Sequence, residues 1–306
     1  MAAATAHSAL VGGEVSHDVP GRAGFRGTLR SEFTKIRSVR STYWTLLALV
    51  VVCVGIGGLF AWGQAQRLAS LRSGTTFGGR VLPHAQAVAL LAQRIAYVRS
   101  AAVSISLFGL LIGQLVIVVL GALVITSEYS TGMIRTSLTT MPRRATLLAA
   151  KGTVFAAVAL VTGLVTSFLA FFVGQAILAT QHVSATLGTP GALRQVIGGG
   201  LFLAVCGMLS FGLGAMLRHT AGAIAAGIGL LFVLLILSNF LPSPPSGWFG
   251  QADIDKWIPF YAGAHIWQDQ MTGVNPFSPW VGFGVFCAYA AAAIGGGLFL
   301  FLRRDA

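Results

Sequence analysis

Six long apolar stretches without a charged residue constrain the fold of this chain more than any other feature of its sequence. A helix needs about 20 apolar residues to cross the roughly 30 Å hydrocarbon core of a bilayer, and every stretch reaches that length. They cover residues 43–62, 102–126, 152–180, 196–217, 221–241 and 280–302. The pattern predicts an all-α integral membrane protein with six transmembrane helices.

The composition argues against a soluble protein. Hydrophobic residues make up 55% of the chain and charged residues only 9%, so one soluble core is an implausible place to bury them. All ten prolines lie outside the six stretches, as expected where prolines mark helix boundaries. We therefore expect the chain to be embedded in a membrane.

The basic residues indicate the orientation in the membrane. With the N-terminus inside, cytoplasmic segments hold 13 of the 20 Lys and Arg residues and external segments hold seven. An excess of Lys and Arg on the cytoplasmic side is the usual topological signal. It explains the net charge of +12, so nucleic-acid binding is not needed to account for that charge. Both termini are therefore predicted to be cytoplasmic. The first external segment, residues 63–101, holds five arginines and no acid.

Residues 24–41 have the pattern of an amphipathic helix that lies in the membrane interface, after a disordered tail of residues 1–23. Its apolar residues recur at spacings of three and four and so share one face. The alternative is a short soluble helix that packs on a partner. The predicted membrane-interface residues are Phe25, Leu29, Phe33 and Ile36, flanked by Arg26, Arg30, Lys35 and Arg37.

The segment between the second and third stretches, residues 127–142, is short and bounded by two spans. Ser127 is expected to cap a helix start, with Glu128 in the first turn, where a negative charge suits the helix dipole. Gly132 allows a bend, and Pro142 ends the segment. Without further information, a plain topogenic loop is the alternative.

The run from Ser127 to Arg135 resembles the Glu-aromatic-x-x-Gly-x-Ile-Arg signature of type-2 ATP-binding-cassette (ABC) exporter permeases. Residues 29–47 resemble that family's elbow helix and first span. The turn at residues 218–223 and the end at 303–306 resemble those of its actinobacterial members. The resemblance implies a permease domain over residues 42–306, located in a bacterial plasma membrane.

The resemblance also implies partners. Such permeases are half-transporters that form dimers with a second copy or a paralogue, and each half docks on a separate ABC ATP-binding subunit. ATP and Mg would bind that subunit, with no cofactor on this chain. The segment between spans two and three would be the coupling segment. Its residues on or beside the ATPase contact are Glu128, Tyr129, Ser130, Thr131, Gly132, Met133, Ile134 and Arg135.

The sequence itself contains no motif for catalysis or for nucleotide binding. It has no G-x-x-x-x-G-K-[ST] loop to cradle phosphate and no H-E-x-x-H zinc motif. The six stretches contain no acid, which argues against a carrier driven by protons or sodium. Two alternatives stay open beside the exporter subunit. They are a non-transporting sensor or scaffold with an ATPase partner, and a secondary carrier.

Uncharged residues provide the remaining candidates, which are for the translocation path, a helix-packing seam and an outer gate. Gln114 and Gln175 are predicted to line the translocation path, with hydrogen bonding between helices as the alternative. Gly109 and Gly113 form a GxxxG pair that suits either packing within the chain or a dimer seam. The aromatic segment 242–279 is expected to be re-entrant or interfacial. In it, Trp257, Phe260 and Tyr261 would form an outer gate or an aromatic belt.

Overall fold

The structure is a computed structural model that describes residues 25–38, 40–75, 78–79, 81–132, 144–238, 240, 255–269 and 277–303. Within these ranges the chain is almost entirely helical, and a single antiparallel bridge joins Thr75 to Val81. The helices are α1 (Phe25–Ser38), α2 (Arg40–Arg72), α3 (His84–Ser106), α4 (Leu110–Ser130), α5 (Arg144–Ala179), α6 (Ala192–Leu217), α7 (Thr220–Ile228), α8 (Leu234–Ser238), α9 (Pro259–Ala264) and α10 (Pro279–Arg303).

Among the residues that the structure describes, six helical segments are long and apolar enough to cross a membrane, which confirms the predicted number of spans. The second span is α3 and α4 together, and the fifth is α7 and α8 joined by a π-helical turn at Gly229–Val233. We call the end of the bundle that holds α1, the C-terminus of α4 and the start of α5 the elbow end. The opposite end, which holds the turn at residues 180–191 and α9, is called the far end.

The second span changes its hydrogen-bonding pattern at residues 107–109. The N–H groups of Leu110, Leu111 and Ile112 each donate to the carbonyl three residues earlier, over 2.9 to 3.1 Å. The tighter turn keeps these backbone groups paired, as an apolar environment requires. α3 therefore joins α4 without an open loop inside the membrane.

Glycines set the distance between neighbouring helices. A β-carbon at Gly109 would overlap the carbonyl oxygen of Cys53 in α2, and one at Gly113 would overlap the Cys53 sulfur. The GxxxG pair thus packs two spans of the same chain, so the alternative of packing within the chain is correct for this pair. A β-carbon at Gly121 would likewise overlap the carbonyl oxygen of Gly207. The absence of a side chain at Gly121 therefore lets the backbones of α4 and α6 approach closely.

The fourth span, α6, lies at the centre of the bundle and is the most buried of the six. It packs against α4, α5 and α10. Near the far end, the centre of the Phe202 ring lies 6.0 Å from the ring centre of Phe260 and 5.5 Å from that of Phe286. The ring centre of Trp267 lies 6.0 Å from that of Phe202. This aromatic cluster holds α9 and the residues after it against α6 and α10.

Replacing Gly121 with Ala should lower the thermal stability of the detergent-solubilised protein, because the added methyl group must push α4 away from α6. Overpacking of this kind costs about 1–3 kcal/mol. Gly284→Ala is the matched control, since a β-carbon there has no neighbour within 4 Å. Equal thermal midpoints for the two variants would contradict the close approach of α4 and α6.

Candidate functional site: an ion cluster at the elbow end

The elbow helix α1 turns its polar face toward the protein. Thr28 and Glu32 are buried and Lys35 is half-buried, and their spacing of four and three residues places them on one side of the helix. Leu29 is half-buried, and Phe33 is 53% exposed. An apolar face directed outward is what an amphipathic helix in the membrane interface requires. The predicted interfacial elbow helix is therefore supported by its orientation.

The expected helix cap at Ser127 is wrong. α4 continues through Ser127 and Glu128 to Ser130, and the carbonyl of Ser127 accepts the N–H of Thr131 at 3.1 Å. Gly132 then adopts a positive φ of 70°, a conformation that favours glycine and ends helices. Glu128 thus lies in the last turn of α4, where the helix dipole disfavours a negative charge. Its carboxylate needs nearby cations.

Lys151, in α5, supplies the principal cation. Its Nζ lies 2.6 Å from Oε2 of Glu32 and 2.7 Å from Oε1 of Glu128. Lys35 Nζ lies 2.8 Å from Oε1 of Glu32 and 3.5 Å from Oε1 of Glu128. We call these four residues the ion cluster. It joins three helices, α1, α4 and α5, through two carboxylates and two ammonium groups.

Three members of the ion cluster are buried, so their pairing is obligatory. Glu32, Glu128 and Lys151 are between 2% and 6% exposed. Removing a charge from water costs several kcal/mol, and only close opposite charges offset that cost. The four formal charges sum to zero. Among the described residues, Oε2 of Glu128 has no hydrogen-bond partner, which leaves this carboxylate the most dependent on the two lysines.

The pKa directions of the two α1 members follow from this arrangement. Burial alone would raise the pKa of Glu32, but the charge and hydrogen bonds of Lys151 and Lys35 outweigh burial and lower it. Burial alone would lower the pKa of Lys35, but its hydrogen bond to Glu32 and the charge of Glu128 outweigh burial and raise it. Both shifts favour the charged, paired state.

Tyr129 connects the same end of α4 to two further spans. The guanidinium carbon of Arg218, in the turn between α6 and α7, lies 5.2 Å from the centre of the Tyr129 ring. The ring of Phe301, near the end of α10, meets Tyr129 edge-on at 6.5 Å. The end of α4 is therefore held by α1, α5, α10 and the turn between α6 and α7.

The predicted coupling residues divide into three groups. Glu128 is buried and Tyr129 is half-buried, and both contact other helices. Ser130, Thr131 and Gly132 are exposed at the end of α4. Met133, Ile134 and Arg135 lie outside the described residues.

The predicted interface residues of α1 are only partly described. Arg30 is exposed and Lys35 belongs to the ion cluster. The side chains of four others, namely Phe25, Arg26, Ile36 and Arg37, lie outside the described part of the chain.

Glu32 and Lys151 were missed as site residues by the sequence reasoning. One signal for them was available in the composition. Glu32 and Glu128 are the only acids between Asp18 and Asp253, and the chain contains just three lysines, of which Lys35 and Lys151 are two. Two isolated acids and two rare lysines, two of them on the predicted interfacial helix and two next to the ends of predicted membrane helices, are candidates for mutual pairing.

Both glutamines proposed for the translocation path are buried. Gln175 donates to the carbonyl of Ala102 and to Oγ of Ser106, both at 2.9 Å, and accepts the N–H of Ala185 at 2.6 Å. These bonds join α5 to α3, the geometry of the hydrogen-bonding alternative. Gln114 donates to the carbonyl of Leu111 at 3.0 Å within its own helix. A role of either glutamine in a path stays a prediction.

The candidate gate residues occupy different environments. Trp257 is 52% exposed and packs edge-on against Phe277, whereas Phe260 is buried against Phe202 and Tyr261 is half-buried. The polypeptide after α9 is fixed by Asp269, which accepts hydrogen bonds from Arg194 and Gln195 at the start of α6. Much of segment 242–279 lies outside the described residues, so its predicted re-entrant form stays untested.

Lys151→Met should destabilise the protein strongly, because it leaves Glu32 and Glu128 buried without their principal cation. Breaking a buried pair in this way costs about 3–5 kcal/mol. The measurement is the thermal midpoint in detergent. Arg30→Met is the control, because Arg30 is exposed on the same elbow helix. If both variants unfold at the same temperature, the cluster does not stabilise the fold.

The stabilisation from the ion cluster should depend on pH in a defined direction. The lowered pKa of Glu32 means that its contribution is complete above the ordinary value of 4.5 and is lost as the pH falls through the lower folded value. The raised pKa of Lys35 means that its contribution is complete below 10.5 and is lost as the pH rises through the higher folded value. The difference in thermal midpoint between wild type and Glu32→Gln should stay constant between these limits and shrink under acid. A difference that grows as the pH falls would contradict the assigned pairing.

Comparison with known protein families adds one finding. A family model described as "ABC-2 family transporter protein" matches residues 29–306. The match covers the ion cluster and all six spans. No curated protein matches the chain significantly.

Proposed function

Because the chain belongs to the ABC-2 transporter family, a family of ABC transporter membrane subunits, we propose that it is the permease half of an ATP-driven exporter. The exporter contains two permease halves, this chain and a second copy or a paralogue, and each docks on a separate ATP-binding subunit. ATP and Mg bind the ATP-binding subunits. The substrate leaves through a path at the interface between the permease halves. The actinobacterial subtype stays a prediction from the resemblance.

The observation that carries this proposal is the ion cluster. The segment between spans two and three leaves α4 at Gly132 and returns at the start of α5. Lys151 binds Glu128 from α4 and Glu32 from α1, so both ends of the segment are tied to the elbow helix. A displacement of the segment by an ATPase therefore acts on α1, α4 and α5 together. Such linkage suits a rigid-body movement of membrane halves.

The geometry refines the roles within the coupling segment. The Glu128 carboxylate points into the bundle, so we assign it to positioning the end of α4 and not to direct contact with the ATPase. Ser130, Thr131 and Gly132 are exposed and precede Met133, Ile134 and Arg135. These six residues are proposed as the ATPase-facing part of the segment.

The proposed dimer is supported by uneven burial among the spans. The fifth span is the least buried of the six within the chain, whereas the fourth is the most buried. Val233, Leu234, Ile236 and Leu237 on the fifth span are all at least 40% exposed. These side chains are available to lipid or to the second permease half.

The proposed orientation, with the elbow end in the cytoplasm, can be tested with two matched substitutions. Ser130 and Ser184 are exposed serines at the elbow end and the far end, respectively. In a background with Cys53, Cys206 and Cys287 replaced by Ala, Ser130→Cys should react with a membrane-impermeant maleimide only after the cells are opened. Ser184→Cys should react in intact cells. Labelling of position 130 in intact cells would reverse the orientation.

Glu128→Gln should fold but weaken the link between ATPase and permease. The Gln side chain keeps an oxygen that can accept a hydrogen bond from Lys151, while the attraction between the two opposite charges is lost. Arg135→Ala should weaken docking directly. The readouts are copurification with the ATP-binding subunit and ATPase activity of the reconstituted complex.

Arg99→Ala, at an exposed site on α3 in the far-end half of the second span, is the control for both variants. It should leave copurification and ATPase activity unchanged. Wild-type docking and wild-type turnover in both Glu128→Gln and Arg135→Ala would refute the coupling role of the segment.

A further inference from the structure

An open groove of about 470 Å³ lies between α2 and α5 toward the far end. Three of its lining residues are alanines, and a fourth is a tryptophan that is 53% exposed. The lining residues are Trp62, Ala65, Gln66, Ala69, Ala176, Ile177, Thr180 and Gln181. The groove belongs to two membrane-spanning helices, so it opens where lipid surrounds the protein.

The far end of the groove carries a fixed positive charge. Arg72 Nη1 donates to the side-chain oxygen of Gln181 at 2.7 Å, and Nη2 donates to the backbone carbonyl of Gln181 at 2.8 Å. Both acceptors are neutral, so they orient the guanidinium without neutralising it. An arginine has five N–H donors, and two such bonds leave three available.

Neither helix of the groove carries a carboxylate that could neutralise Arg72. No acid occurs between Glu32 and Glu128 or between Glu128 and Asp253, which covers both helices of the groove. Among the described residues, no carboxylate forms a salt bridge with Arg72. An anionic ligand would therefore meet an oriented cation that no carboxylate among the described residues neutralises.

The depth of the Arg72 guanidinium fits the headgroup region, because its partner Gln181 directly follows the apolar stretch that ends at residue 180. The backbone of Arg72 itself lies ten residues beyond Trp62, about 15 Å along the helix axis. Helix side chains lean toward the N-terminus, which brings the guanidinium back toward the groove. Trp62 marks the level where tryptophans concentrate at membrane interfaces. Deeper in the membrane, Leu59 and Val173 are exposed on the two groove helices and extend the apolar surface.

We propose that this groove binds an anionic phospholipid from the leaflet at the far end. The phosphate accepts hydrogen bonds from Arg72, and one acyl chain lies along Trp62 and Ala176 toward Leu59. The site goes beyond the proposed transport function, since it needs only the membrane location of the chain. It selects lipids by headgroup charge, which a purely apolar groove does not do.

The test measures lipids retained by the purified full-length protein with native mass spectrometry, after adding phosphatidylglycerol or phosphatidylcholine. The wild type should retain phosphatidylglycerol preferentially. Arg72→Gln should reduce that preference roughly tenfold, the equivalent of one charge-assisted hydrogen bond. Arg99→Gln removes an exposed arginine of α3 outside the groove and should keep the preference. Equal effects of the two variants would overturn the site.

Three further measurements separate the possible occupants. Ala176→Phe should fill the groove and reduce retention of both lipids; unchanged retention would overturn acyl-chain binding. Glycerol phosphate, which has a headgroup and no acyl chain, should not displace phosphatidylglycerol; displacement would mean a site for free phosphate only. A disulfide between two copies of Gln66→Cys, in the cysteine-free background and in native membranes, would mean that a second copy covers the groove. It would refute lipid binding there.

Discussion

The position of one ammonium group between two buried carboxylates underlies the arrangement of the elbow end. Lys151 approaches Glu32 and Glu128 within 2.7 Å, and all three side chains are almost completely removed from water. A buried charge without a partner is costly enough to threaten a marginally stable fold. The three helices that supply these residues are therefore constrained to stay together, and the orientation of α1 follows from this constraint.

That orientation satisfies two separate requirements of the α1 side chains. The helix must satisfy Glu32 and Lys35 inside the protein, and it must also direct Phe33 outward. In a soluble protein the apolar face would turn inward and the charges outward. The reversed arrangement is stable because the surroundings of α1 are the membrane interface, where an exposed apolar face is favourable. The ion cluster and the lipid thus stabilise the same pose of the helix from opposite sides.

The rest of the bundle is held together by close backbone approach and not by charge. Within lipid, apolar side chains gain little by leaving one apolar environment for another, so association depends on tight packing. Gly121 beside Gly207 and Gly109 beside Cys53 provide this packing in the interior. The ion cluster lies at the end of the bundle, where the segment proposed to meet the ATPase enters and leaves. Coupling residues and packing residues are thereby kept in separate parts of the molecule.

The spans could be predicted from sequence because lipid imposes length and apolarity on every spanning helix. The elbow helix was predictable from the spacing of Leu29 and Phe33, since amphipathic periodicity is a local property. The rarity of acids and lysines marks Glu32 and Lys151 as candidates for pairing. Their actual contact could not be predicted, because they are separated by 119 positions and only the fold brings them together. The cap at Ser127 was predicted wrongly because capping residues also occur inside helices. There their hydroxyls bond to preceding carbonyls, as that of Thr126 does with Ala122 inside α4.

The central claim is that Lys151 holds the elbow helix through Glu32. Hydrogen–deuterium exchange of the α1 amides, measured in lipid nanodiscs for a double-mutant cycle of Glu32→Gln and Lys151→Gln, tests it most directly. The account predicts faster exchange of residues 28–35 in each single variant. It also predicts an effect in the double variant that is clearly smaller than the sum of the two. Wild-type exchange of α1 in Lys151→Gln, or strictly additive effects in the double variant, would contradict the account.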